Sequence, residues 1–241
     1  MPLWRCLIAL GLAGAVGLAG AAGLAPLVDA GGHIGAPWRV VVLPAQTIPF
    51  TAYSALRMDE RSALRIEARS SYGNLVHDLP AGTGSTAHTL RWAWRLEQPN
   101  PAADLRSKAG DDNPVKVCLS FDMPVARVPF VDRQLLRLAR AKTGEPLPAA
   151  TLCYVWDAHE PVGTLLHNAF TGRVRLIVLR SGADATGTWL EERRDVAADF
   201  RRAFGEESAE LPPLSAVIVS GDADNTHASS LAFVADLRFE P

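Results

Sequence analysis

The sequence predicts an all-β protein, an antiparallel jelly-roll-like β-sandwich with two short covering helices. Three observations predict it. Short apolar or alternating runs recur roughly every ten positions between turn residues. Within the clearest runs, alternate residues sort into an apolar and a polar face. Only two stretches carry helical spacing, and neither is long enough to form a domain. The 241 residues are 48% hydrophobic and 21% charged. That composition excludes disordered and collagen-like chains and miniproteins built on a disulfide framework, and the length suits one large sandwich.

The chain opens with a leader. After Arg5, residues 6–28 are almost entirely Ala, Gly, Leu, Ile and Val, interrupted by Pro26, and no charge returns until Asp29. A short basic start, an apolar run and then small residues is the layout of a secretory signal. Residues 1–30 are expected to be a signal peptide and residues 31–241 a single β-sandwich domain, in an exported protein that is periplasmic or secreted. Gly11, Gly14, Gly17, Gly20 and Gly23 recur at every third position, which weakens a permanent span. Cleavage is placed after Ala21 or after Ala30. An uncleaved anchor is the alternative, because the apolar run is long enough to cross a bilayer.

Strands are expected at 38–43, 64–68, 73–77, 90–96, 115–121, 152–156, 173–179, 188–192, 214–221 and 231–239. Leu90, Trp92, Trp94 and Leu96 fall on one face, with Arg91, Arg95 and Glu97 on the other. Leu231, Phe233, Leu237 and Phe239 are read as repeating the pattern. In 115–121, Val115, Val117, Leu119 and Phe121 share the apolar face, while Lys116, Cys118 and Ser120 share the opposite one. The first helix is expected over 130–141, with Val131, Leu135, Leu138 and Ala139 as its buried stripe and Gly144 as its stop. The second runs from an Asp195 cap to Phe204, with Val196, Phe200 and Phe204 as its stripe and Gly205 as a left-handed exit.

With 24 basic and 26 acidic residues the formal net charge is -2. Such a balance predicts no nucleic-acid partner and no anionic membrane surface, and it leaves membrane contact to the N-terminal segment alone. The expected partner is an unknown small ligand or a glycan.

The landmarks Leu64-Arg65-Ile66-Glu67-Ala68 with Ser70-Ser71, Leu90-Arg91-Trp92-Ala93-Trp94-Arg95, Asp104 with Lys108 and Gly110-Asp111-Asp112, and Tyr154-Val155-Trp156 stand in a distinctive order. Arg194-Asp195-Val196 with Asp199-Phe200, Phe204-Gly205, the segment from Gly221 to Thr226 and the closing Ala235-Asp236-Leu237-Arg238-Phe239 continue it. Together they resemble one exported bacterial family, the domain of unknown function 3047 family, over 38–239. The resemblance implies a sandwich similar to jelly-roll carbohydrate-binding modules. It supplies no catalytic residue.

Candidate chemistry gathers in a few places. Asp222, Asp224 and Asn225, followed by Thr226, offer clustered oxygens after a strand, which suits Ca²⁺ as a possible cofactor, although the Gly and distal Glu of an EF-hand loop are missing. The alternative is a turn whose Asp and Asn side chains bond their own backbone. Asp111 and Asp112 pose the same choice between an acid/base pair for glycoside cleavage and a solvated turn, and adjacent strand positions let only one of them face a given site. Trp92, Trp94, Tyr154 and Trp156 are either platforms for sugar faces or core. The ligand-binding candidates are Asp112, Asp222, Asp224, Asn225 and Trp156. Cys118 and Cys153 are a disulfide candidate in an oxidising compartment, with unpaired thiols as the alternative. The six His are scattered without zinc spacing, and no G-x-S-x-G elbow occurs. The sequence therefore predicts a non-catalytic binding module; a glycan-active hydrolase using paired carboxylates and a purely structural envelope protein are the alternatives.

Overall fold

Alternation along the chain becomes two packed sheets in a computed structural model, which describes residues 23–81, 89–144 and 146–240. The expected leader therefore lies outside the described residues through 22. The strands are β1 (Arg39–Val41), β2 (Ala52–Met58), β3 (Arg61–Arg69), β4 (Asn74–Asp78), β5 (Thr89–Gln98), β6 (Val115–Phe121), β7 (Ala150–Asp157), β8 (Leu165–Asn168), β9 (Thr171–Ser181), β10 (Leu190–Asp195), β11 (Leu214–Ser220) and β12 (Ser229–Glu240). Helix α1 (Phe130–Thr143) follows β6 and helix α2 (Val196–Phe204) follows β10. One sheet has the order β1-β4-β11-β6-β7-β9-β8 and the other β10-β5-β12-β3-β2. Every ladder between these strands is antiparallel except β7 with β9. Two strands were not legible in the sequence. β2 lies at a sheet edge and has no fully buried residue, so it lacks an apolar alternation, and β8 has only four residues.

The core fills the space between the sheets. Val115, Val117, Leu119 and Phe121 of β6 face it, as do Trp92 and Trp94 of β5 and Tyr154 and Trp156 of β7. Trp92 lies 5.3 Å from Tyr154 and Trp94 5.9 Å from Trp156, ring centre to ring centre. Strand β12 departs from the expected single face. A bulge between Ala235 and Arg238, with Asp236 at φ 57°, shifts its alternation by one residue. Phe233 consequently packs outside with Ala63 and Ala235, while Leu237 and Phe239 join the main core.

Helix α2 follows its expected physics. Asp195 accepts from the Ala198 N–H at 2.9 Å, and Val196, Phe200 and Phe204 are buried, with Phe200 4.7 Å from Phe121. Gly205 leaves in a right-handed conformation, however, at φ -60°, so the expected left-handed exit is corrected. Helix α1 ends at Gly144 with φ 72°, but the expected buried stripe is reversed: Leu136 is the buried residue, and Val131, Leu135 and Leu138 face outward.

The sandwich also takes in residues 24–30, ahead of the boundary expected at 31. Leu27 is buried, the Ala25 N–H donates to His77 Nε2 at 3.0 Å, and Trp38 Nε1 donates to the Ala25 carbonyl at 3.0 Å. Among the described residues, no helix is long and apolar enough to cross a membrane.

Candidate functional site: a cleft on the outer face of the larger sheet

Strand alternation that sends Val117 and Leu119 inward sends Lys116, Cys118 and Ser120 outward. There they join Val76 of β4, Ile218 of β11, Thr151 and Cys153 of β7 and Val174 of β9 in lining a cleft of about 1000 Å³. Cys118 and Cys153 stand directly opposite in the β6–β7 ladder and are joined by a disulfide within this floor. Ser120 and Thr151 bond across the same ladder at 3.2 Å. Val76, Val174, Ile218 and the disulfide give the cleft its apolar surface, and one wall of it is polar.

That wall forms where the loop ahead of β6 meets the turn after β11. Both need glycine for close approach: a Cβ at Gly110 would lie 2.7 Å from Asp104 N, and one at Gly221 would lie 2.5 Å from the Pro114 carbonyl oxygen. The Asp222 N–H donates to the Asn113 carbonyl at 2.8 Å, and the Asn113 N–H donates back to Asp222 Oδ1 at 2.7 Å. The second Asp222 oxygen accepts from Lys116 Nζ at 2.5 Å. Burial disfavours the Lys116 ammonium, yet Asp222, aided by Tyr72 and Asp111, holds its pKa above the ordinary lysine value.

Asp112 is fully buried and belongs to the scaffold. Its Oδ1 accepts from the Asn225 N–H at 3.1 Å and its Oδ2 from the Thr226 N–H at 2.8 Å and Thr226 Oγ1 at 2.5 Å. Asn225 in turn gives its side-chain N–H₂ to the Asp111 carbonyl and Asp112 Oδ1, each at 3.3 Å. Asp112 does meet the 222–226 turn, but as a clamp with both oxygens occupied, and the expectation that it contacts ligand is corrected. Trp156 is corrected too. It is buried in the core, donates to the Gly182 carbonyl at 2.9 Å, and faces no surface.

Among the described residues, Asp111 and Asp224 are two of the five aspartates that line the cleft. Asp111 accepts from Asn168 Nδ2 at 2.5 Å; burial raises its pKa, with Lys116 and the Asn168 bond opposing and Asp222 and Asp112 adding to the rise. Asp224 is half-buried, and its pKa is raised from the usual 3.8 to about 6, first by burial and then by the charges of Asp222 and Asp112. Its Oδ1 has neither solvent contact nor a hydrogen-bond partner. Beside these carboxyls, Asn74 Nδ2 donates to the Tyr72 hydroxyl at 3.0 Å.

Of the Ca²⁺ set read from Asp222, Asp224 and Asn225, Asp222 has both oxygens engaged, by the Asn113 N–H and by Lys116 Nζ. Among the described residues, no group of three or more His, Cys, Asp or Glu side chains is placed to hold a metal ion. The Lys116 ammonium supplies the positive charge that a cation would bring to Asp222. Lys116, Tyr72, Asn74 and Asn168 escaped the sequence reading. The one available signal was Lys116, a cation on the polar side of a strand flanked by apolar residues.

A family model matches residues 36–238, nearly the whole fold including every residue that lines the cleft. The chain belongs to the family described as protein of unknown function, DUF3047. No curated protein matches it. In outline this DUF3047 chain is similar to endoglucanase 3 of Trichoderma harzianum, from family GH12, at 8% identity and TM-score 0.39, covering 86% of this chain and 99% of that one. It is also similar to the xyloglucanase domain of NopAA, a type three effector from Sinorhizobium fredii solved with cellobiose, at 9% identity and TM-score 0.34, covering 85% and 98%.

Proposed function

We propose that the protein is an exported binding protein whose cleft receives an amphiphile, a molecule with a hydroxyl-bearing head and an aliphatic body, such as a glycolipid. The observation that carries this reading is the lining of the cleft: Asp224, a partly exposed carboxyl with no neighbouring side chain bonded to it among the described residues, stands at the margin of a floor that carries Val76, Val174 and Ile218. A carboxyl that is part-buried at the edge of an apolar surface gains from a donor brought to its accessible side, and a ligand hydroxyl supplies one. Asp111, Asn168 and Tyr72 extend the polar margin, while Val76, Val174, Ile218 and the disulfide offer surface for aliphatic chains. Bare saccharide fits less well, because Trp92, Trp94, Tyr154 and Trp156 are all spent in the core.

Export is supported by the basic and apolar start of the chain and by a disulfide, which an oxidising compartment maintains. Thermal unfolding with octyl glucoside, below its micelle-forming concentration, and with free glucose tests the ligand class. A ligand at a hundredfold over its dissociation constant adds about 2.7 kcal/mol. The alkyl glycoside is expected to raise the melting temperature and glucose to leave it unchanged; no shift with either overturns the proposal.

One observation favours a second reading. A carboxyl whose pKa is raised to about 6, in a cleft that Asp111 also lines, is the equipment of a general acid for glycoside cleavage. Sugar release from a glycan panel that is abolished by Asp224→Asn supports catalysis, and no release leaves binding as the function.

A further inference from the structure

Helix α1 wears its apolar side outward. Phe130 and Val131 are each 68% exposed, Leu135 60% and Leu138 66%, while Leu136 alone is fully packed beneath. Val131, Leu135 and Leu138 stand at i, i+4 and i+7 and so form one stripe. The helix is held from its other side: Asp132 pairs with Arg173 at 2.8 Å, and Arg140 gives two hydrogen bonds to the Leu147 carbonyl, at 2.8 and 2.5 Å. Against that single, neutralised carboxylate the helix carries Arg133, Arg137, Arg140 and Lys142. The whole-chain balance of -2 hides this local excess.

Helix α1 also borders the cleft, through Arg140 on the side opposite the stripe. Arg140, Leu147 and Pro148 line one end of the cleft, as do Val125, just ahead of α1, and Phe170. Phe170 is 56% exposed on the β8–β9 turn, and just past it Gly172 of β9 approaches α1, where an added Cβ would lie 3.1 Å from Asp132 Oδ2.

From these observations we infer that α1 docks the protein on an anionic lipid bilayer, lying in the interface with Val131, Leu135 and Leu138 among the acyl chains. Arg137 and Lys142 then reach the headgroups, the cations' stems running beside the apolar stripe. An exposed apolar stripe flanked by cations matches an anionic membrane surface, whereas a second copy of the same helix would set those cations against each other. The inference stands on the helix and does not require a ligand in the cleft.

The test uses the full chain and follows amide hydrogen exchange in peptides spanning 130–143. Vesicles of phosphatidylglycerol and phosphatidylcholine together, and of phosphatidylcholine alone, are compared. Any tether supplied by the leader is common to both, so the difference between them reads α1. The mixed vesicles are expected to slow exchange in α1 at least fivefold, and 0.5 M salt to reverse most of the effect. Leu135→Ser with Leu138→Ser, both exposed and expected to keep the melting temperature, abolishes the protection. Equal protection by the two vesicle types, no protection, or protection that needs no vesicles and rises with protein concentration overturns the inference; the last assigns the stripe to a second copy. An Ile218→Arg variant that loses octyl glucoside binding and keeps α1 protection separates docking from the function proposed for the cleft.

Discussion

Lys116 and Asp222 meet at 2.5 Å beneath the wall of the cleft, and through Asp222 the ammonium ties strand β6 to the turn that carries Asp224. Asp222 is almost completely buried and Lys116 largely so. Removing one partner of such a pair leaves a desolvated charge, at about 3–5 kcal/mol. Lys116→Met is expected to lower stability by about 3 kcal/mol, roughly 6–12 °C in melting temperature for a chain of this size. A double replacement that also makes Asp222→Leu costs less than the sum of the single changes. Additive losses in a double-mutant cycle contradict the pairing.

Asp112 and Asp224 separate by role. Asp112→Asn turns an amide N–H₂ toward donors that need an acceptor, leaving the Thr226 N–H or hydroxyl unpaired, at about 2 kcal/mol. Asp224→Asn breaks no bond to a neighbouring side chain. Urea unfolding checks the contrast: a clear loss for the first variant and none for the second.

Asp224 also fixes the sign of a pH effect. Its carboxyl binds a proton more tightly in the fold, near pKa 6, than in the unfolded chain, near 3.8. Between those values the native state holds more protons than the unfolded one, so this group's contribution falls as pH rises from about 4 to 6 and is constant above. Full linkage over that interval is about 3 kcal/mol, and partial exposure reduces it to about 1 kcal/mol. Melting temperatures from pH 4 to 7 should show Asp224→Asn gaining on the wild type as pH rises. Parallel curves contradict the raised pKa.

The sandwich, the strands that fill its core and the α2 cap were legible because each is a local rule: alternation, helical spacing, or an Asp ahead of a helix. The resemblance carried by the motifs led to the right family. What was not legible depends on which side of an element faces what. The stripe of α1 has the spacing of a buried face, and only its neighbours show that Leu136 is the packed residue. Likewise nothing within the Asp222–Asn225 segment shows that β6 places Lys116 beside it. Trp156 reads as a sugar platform until the second sheet covers it.

The N-terminal packing predicts where a leader ends. Cleavage after Ala30 removes Leu27, whose burial is worth about 1.5–3 kcal/mol, together with both Ala25 hydrogen bonds; cleavage after Ala21 keeps them. Intact mass and N-terminal sequencing of exported protein should give a chain beginning at Ala22. A chain beginning at Gly31 contradicts a structural role for residues 24–30.

Methyl-resolved NMR during titration with octyl glucoside tests the central proposal most directly. The account predicts that the methyls of Val76, Val174 and Ile218 shift together along one saturable curve, and that Asp224→Asn weakens the curve severalfold. Unmoved floor methyls, or shifts confined to Val131, Leu135 and Leu138 on α1, would show that the amphiphile does not occupy the cleft.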